Sequence, residues 1–193
     1  MEGRTAERTV EYYAATAERW QEIEALFGPR GACAGCWDMW WRLTRAEFER
    51  NKGEGNKEAF KRIVLADEVP GLLALVDKVP AGWCAVQPRE AYSALMRSQT
   101  LRPVDDAPVW AITCFFIARP YRRQGMTVGL LRAAVEHARA NGAQIVEGYP
   151  VEPRGMLPDA FAWHGTAAAF RKAGFAEVAR RSATRPIMRY TNS

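Results

Sequence analysis

The chain has 193 residues, of which 48% are hydrophobic and 25% charged, with a net charge of +5. That is enough apolar material for one buried core and too little length for two large domains, so residues 1–193 are expected to form a single domain. No apolar run approaches the roughly 18 residues of a membrane span, residues 1–20 carry charge throughout with no signal-peptide core, and no concentrated basic stripe suggests a nucleic-acid backbone as partner; a cytoplasmic protein with no membrane or nucleic-acid partner is expected.

In chain order, residues 9–15 read as a short strand. Thr16 reads as the N-cap of a helix running to about Phe27, with Trp20, Ile23, Leu26 and Phe27 at helical spacing and Gly28-Pro29 as its stop. A turn-rich stretch over 28–35 leads into Cys36-Trp37-Asp38-Met39-Trp40-Trp41. Three tryptophans in five residues are costly to expose, so they are either core or the wall of a pocket. After a polar break over 51–56, Asn56 is expected to cap a helix whose apolar positions are Phe60, Ile63 and Val64. Residues 72–76 and 81–86 read as a hairpin across Asp77-Lys78-Val79-Pro80, and 88–103 as an irregular or partly helical connection.

Residues 109–118 are rich in β-branched and aromatic side chains, the pattern of a strand buried on both faces. A basic turn follows at once, then a helix to about Ala140 with Leu130, Leu131, Ala134, Val135 and Ala138 on one side and Asn141-Gly142 as its stop. Residues 144–149 form another short strand. A loop carrying Pro150, Pro153, Gly155 and Pro158 leads to a last helix over 161–173, and residues 175–179 and 186–190 close as a hairpin.

Cys33 and Cys36 have the spacing of a redox pair or half a zinc site. A closed zinc site needs two further ligands, and the sequence has no second such pair, so no metal is expected. Cys84 and Cys114 lie in apolar runs, where a reduced cysteine behaves as a small hydrophobe.

The chemistry is concentrated around residues 122–127. A helix start presents unpaired backbone N–H groups and the positive end of the helix dipole. A turn that aims several such groups at one point makes an anion nest, and Gly125 leaves room for a ligand to approach the backbone. Arg122, Arg123 and Gln124 add charge and donors nearby. The combination suits a pyrophosphate, although neither the P-loop nor the dinucleotide fingerprint is present.

This arrangement resembles the GCN5-related N-acetyltransferase (GNAT) superfamily. The family signature is Gln or Arg, two residues, Gly, one residue, then Gly or Ala, after a long buried strand and at a helix start. Arg122-Arg123-Gln124-Gly125-Met126-Thr127 matches it except at Thr127. Residues 117–121 resemble the family's lead-in, and residues 167–175 its helix ending in Lys172 before Gly174-Phe175. Cys36-Trp37-Asp38-Met39 and Glu147-Gly148-Tyr149-Pro150 are similar to segments of an uncharacterised bacterial subgroup.

The resemblance implies an α+β fold: a mixed, mostly antiparallel central sheet flanked by helices, with splayed central strands. It implies acetyl-coenzyme A (acetyl-CoA) as co-substrate. The backbone of Phe115, Phe116 and Ile117 would pair with the pantetheine arm. The amides from Arg122 through Arg123, Gln124, Gly125 and Met126 to Thr127 would hold the pyrophosphate, and Phe170 would flank the thioester. Phe170 stands where many members place a proton-donating tyrosine, so Tyr149 or Tyr121 is expected to substitute, or the thiolate leaves unaided.

A lysine-like amine with a pKa near 10.4 is neutral in roughly one molecule in a few thousand at about pH 7, so a base must take its proton. Glu147 and His164 are the leading candidates and Asp38 the third. Trp37, Asp38 and Trp40 are expected at the acceptor site. The expected reaction is direct acetyl transfer, in a ternary complex, to the primary amine of a small molecule, an antibiotic or a metabolite. A protein amine acceptor and a non-catalytic acyl-CoA sensor or partner-binding module are the alternatives, and a homodimer is an admissible assembly.

Overall fold

The computed structural model describes residues 8–152 and 163–191. Its strands are β1 (Val10–Ala14), β2 (Gly71–Val76), β3 (Val79–Pro88), β4 (Trp110–Ile117), β5 (Ile145–Gly148), β6 (Ala176–Arg180) and β7 (Pro186–Thr191). They form one sheet in the order β1-β2-β3-β4-β5-β7-β6. Only β4 and β5 run parallel; the other neighbours are antiparallel. The helices are α1 (Trp20–Phe27), α2 (Arg45–Arg50), α3 (Glu54–Leu65), α4 (Ser93–Met96), α5 (Met126–Ala140) and α6 (Ala167–Lys172). This is the α+β architecture expected.

Side chains alternate between the two faces of each strand, and the core divides accordingly. Leu72, Ala74, Cys84, Ile112 and Phe115 pack against Leu130, Leu131 and Ala134 of α5 and Phe170 of α6. Leu73, Leu75, Trp83 and Ala85 pack against Ile23 and Phe27 of α1, Phe48 of α2 and Phe60 of α3. The central strands are covered on both faces, which explains the nearly unbroken apolar runs of β2 and β3.

Several local expectations are corrected. The β2–β3 connection is a two-residue turn at Asp77-Lys78, both with positive φ, and Pro80 sits at a bulge opposite Leu75. That geometry matches the right-handed strand twist and needs no proline. Thr16 precedes a short 3-10 turn, and α1 itself begins at Trp20. Helix α2, with Thr44 and Glu47 forming a capping box, occupies a stretch with no assigned element in the sequence reading. The last helix begins at Ala167, because Thr166 caps it. Pro153, Gly155, Pro158 and Phe161 lie outside the described residues.

Asn56 is not a cap. Helix α3 starts at Glu54, and Asn56 is fully buried in its first turn. Its Nδ2 donates to the Gly35 carbonyl at 3.0 Å, which also accepts from the Gly53 N–H at 3.1 Å. The asparagine therefore ties the 31–35 loop to α3. Asn56→Ala is expected to cost about 1–2 kcal/mol and to lower the melting temperature by roughly 3–6 °C; an unchanged melt would show that the tie carries no stability.

Candidate active site

The turn after β4 has the geometry of an anion cradle. Arg123 and Gly125 lie in the left-handed region with φ 61° and 81°. A Cβ on Gly125 would meet nothing within 4 Å, so the glycine answers to backbone conformation and open approach. The amides of Gln124, Gly125, Met126 and Thr127 donate to no backbone carbonyl among the described residues, as the first turn of a helix requires. The turn is held from within: Arg122 Nε donates to the Ile117 carbonyl at 2.9 Å and Gln124 Nε2 to the Pro120 carbonyl at 2.8 Å. Thr127 is the second residue of α5.

The slot beside β4 comes from a short parallel pairing. β5 pairs with Trp110, Ala111 and Ile112 and then leaves, while β3 follows β4 as far as Ile117. The Ala118 N–H bonds the Ala81 carbonyl of β3. By strand alternation the backbone of Phe116 also faces β3, and those of Phe115 and Ile117 face the slot. Phe116 is thus corrected as an arm-pairing residue; its side chain lines the neighbouring cavity instead. The slot also explains why the C-terminal half of β4 is only partly buried, at Cys114, Phe116 and Ile117, rather than buried on both faces.

Gly148 ends β5 at the fork, and a Cβ there would lie 2.1 Å from the Phe170 ring. The fully buried Phe170 fills that space and meets Phe115 edge-on at 6.1 Å, so it supports the slot by packing. Together the strand edge and the amide cradle provide an acceptor-and-donor ladder followed by an anion nest. That donor set fits the two amides and the diphosphate of acetyl-CoA.

A cavity of about 470 Å³ opens where the strands part. Its walls include Trp40, Phe48, Trp83, Phe115, Phe116 and Trp163, with Asp38 and His164 as polar groups. Two expected acceptor-site residues, Asp38 and Trp40, are therefore brought together with His164. Trp37 is corrected: it is buried in the core, stacked on Trp20 at 6.1 Å and tilted against Phe27 at 5.6 Å. Trp37 and Asp38 are consecutive residues in the left-handed region, a backbone strain that turns one side chain into the core and the other toward the cavity.

Asp38 Oδ1 accepts from Trp83 Nε1 at 3.3 Å, and Oδ2 from the Arg42 guanidinium at 3.3 Å. Burial holds its carboxyl above the usual carboxylate range, against the pull of Arg42 and Trp83. Burial also pushes the Cys36 thiol up to about 11, and the Cys114 thiol well up, so these two cavity thiols stay protonated. Among the described residues no group of His, Cys, Asp and Glu is arranged to hold a metal.

His164 lies between β4 and the start of α6, with Nδ1 buried and without a hydrogen-bond partner. Burial lowers its pKa from 6.5 to about 3, with a smaller push from Arg185, against a raising hydrogen bond to the Thr113 backbone. Between those values the unfolded chain binds a proton that the folded imidazole refuses, so stability falls as pH drops below 6.5. From about pH 7 to about 5.5 this one residue is expected to remove roughly 1 kcal/mol. Urea denaturation at the two values should show the loss, and His164→Gln should flatten it; an equal slope in both proteins would refute the assignment.

Glu147 and Tyr149 are corrected. Glu147 is fully buried, and neither residue lines the cavity. Glu147 Oε1 accepts from Arg89 Nη1 at 3.1 Å and from the Tyr149 hydroxyl at 2.7 Å, and Oε2 from Arg189 Nε at 2.7 Å. Arg89 also donates to the Tyr149 hydroxyl, and Arg189 continues to Asp105 at 2.6 Å. Both oxygens of this carboxylate are taken by these donors, away from the cavity, and its network pins β5 to the end of β3 and to β7 just before the fork. The sequence reading also missed Arg45, Phe48, Glu49 and Lys52, which line the cavity from α2 and its end. The signal for α2 was the Thr44-x-x-Glu47 capping box.

No helix among the described residues is long and apolar enough to cross a membrane. The family model described as "Acetyltransferase (GNAT) family" matches residues 37–152. No curated protein matches the chain. Among solved structures, an acetyltransferase of the GNAT family from Streptococcus agalactiae is 13% identical, with 95% of this chain and 96% of that chain covered and a TM-score of 0.57. The aminoglycoside N-acetyltransferase AAC(6')-Iy, solved in complex with CoA, is 14% identical, with 93% and 96% covered and a TM-score of 0.57. The NatC complex bound to Gag peptide and CoA is 9% identical, with 95% and 99% covered and a TM-score of 0.55. At such identities the likeness to these structures is one of fold.

Proposed function

The chain belongs to the acetyltransferase (GNAT) family and is an acetyl-CoA-dependent acyltransferase, and from that premise we propose that it acetylates the primary amine of a small molecule by direct transfer in a ternary complex. The observation that carries the acceptor class is the aromatic cavity at the strand fork, with Asp38 and an uncharged His164 on its wall.

Acetyl-CoA supplies an activated acetyl group as a thioester. The strand edge at Phe115 and Ile117 binds its arm, and the amides from Gln124 to Thr127, with the side chains of Arg122 and Arg123 nearby, hold its diphosphate. Asp38, held by Arg42 and Trp83, fixes the polar wall of the cavity beside the fork. The acceptor reacts as its neutral amine, its ammonium proton having passed to solvent; as the new N–C bond forms and the C–S bond breaks, the second proton also leaves to solvent, and His164, uncharged at physiological pH, orients the amine at the cavity wall. No tyrosine lines the cavity among the described residues. A thiol pKa near 8.5 lets the thiolate depart without a protein acid.

An acceptor screen reporting free CoA thiol tests the reading, with calorimetry of acetyl-CoA binding as its partner. His164→Gln is expected to keep acetyl-CoA binding and lose turnover. A correctly folded protein that gives no binding heat and releases no thiol with any amine would overturn the proposal.

A further inference from the structure

The acceptor class follows from how the charges of the cavity are spent. Asp38 is already matched by Arg42, at 3.3 Å, with both side chains almost fully buried. At the rim, Glu49 is shared by two cations, Arg45 at 2.9 Å and Lys52 at 3.4 Å. Among the described residues the rim is therefore left with one positive charge in excess and no unpaired carboxylate. The Arg45 guanidinium lies over the Trp40 ring, 4.7 Å from its centroid, which further fixes this charge at the mouth.

The interior is a wall of rings. Trp40 meets Phe48 edge-on at 5.1 Å and Trp163 at 6.3 Å, and Trp163 lies against His164. Such a surface gains by covering a broad apolar body. A polycation needs several unpaired anions to replace its hydration, and here the second and third charges would meet Arg45 and Lys52. With Asp38 spent on Arg42, the cavity suits an amine that enters uncharged on an otherwise apolar molecule.

We infer that the acceptor is a monoamine carried on an aromatic or similarly broad apolar body, and that the positive rim of Arg45 and Lys52 rejects polycationic amines. The inference rests on the acetyl-transfer reading above and goes further by naming the class of acceptor. It separates this chain from its fold relative that acts on aminoglycosides.

The test compares thiol release with 2-phenylethylamine, tryptamine and the aminoglycoside kanamycin, alongside acetyl-CoA calorimetry. The aromatic amines should exceed kanamycin at least tenfold in kcat/KM. Trp40→Ala should lower kcat/KM for the aromatic amines about tenfold with the acetyl-CoA Kd unchanged, and Trp40→Phe should recover most of it. Lys52→Glu, on an exposed side chain, turns the rim negative and should raise kcat/KM for kanamycin severalfold. Acetyl-CoA binding with kanamycin preferred, with none of the three amines acetylated, or with Lys52→Glu indifferent to kanamycin, overturns the acceptor class and leaves acetyl transfer standing. Absence of acetyl-CoA binding overturns the underlying reading itself.

Discussion

Gly125→Glu is expected to weaken acetyl-CoA binding by at least a hundredfold while leaving the fold intact. The position has φ 81° and is exposed, and a Cβ there would meet nothing within 4 Å. Two effects act together. An L-residue in this region costs about 1–2 kcal/mol, and relief of that strain turns the amides of the cradle away from a common point. The added carboxylate also stands at the mouth of the nest, where repulsion from a diphosphate at about 5 Å is worth roughly 3 kcal/mol in a partly screened setting. Each 1.4 kcal/mol is about tenfold in Kd. Gly125→Ala isolates the strain and should cost less than about tenfold. Calorimetry reads both, and the loss of ligand-induced thermal stabilisation offers an independent measure. A Glu variant that binds acetyl-CoA as tightly as the parent would remove the cradle from its assigned place.

Glu147→Gln is expected to be a stability defect rather than a defect of proton transfer. It removes the anion between Arg89 and Arg189, all three side chains being almost fully buried. Breaking a buried ion pair from one side costs about 3–5 kcal/mol, because the partner charges stay behind. In a chain of this size that is a fall in melting temperature of roughly 6–15 °C. The remaining activity should keep its parental pH profile. A second change, Arg89→Met, should restore part of the lost stability by removing one stranded cation. If Glu147 were instead the base, the melt would hardly move and turnover would fall most near neutrality, recovering at high pH where free amine is abundant.

The cradle was legible because it is local. A buried strand, a basic turn and a helix start follow one another within residues 109–127, and backbone geometry over so short a span depends mainly on the residues in it. The fork was legible only through resemblance. It arises because β5 stops pairing after Gly148, and the ring that fills the gap, Phe170, comes from another element. The fate of Glu147 could not be read at all, since Arg89 and Arg189 stand 58 and 42 residues away. A carboxylate looks the same in sequence whether it faces solvent, a substrate or two arginines.

The tryptophan segment shows the same division. Composition required that Trp37, Trp40 and Trp41 leave water, because large rings are costly to expose. It did not decide which would enter the core and which would line a cavity. That choice came from two left-handed residues at Trp37 and Asp38, held by the packing of α1, α3 and β3 around them. The amino-acid order by itself determined the core-forming strands, the helix faces and the amide nest, all properties of neighbours in the chain. Only the tertiary structure settled which buried charges were already neutralised and which polar groups still faced open space, because Coulomb and desolvation energies depend on distances that the chain acquires when it folds.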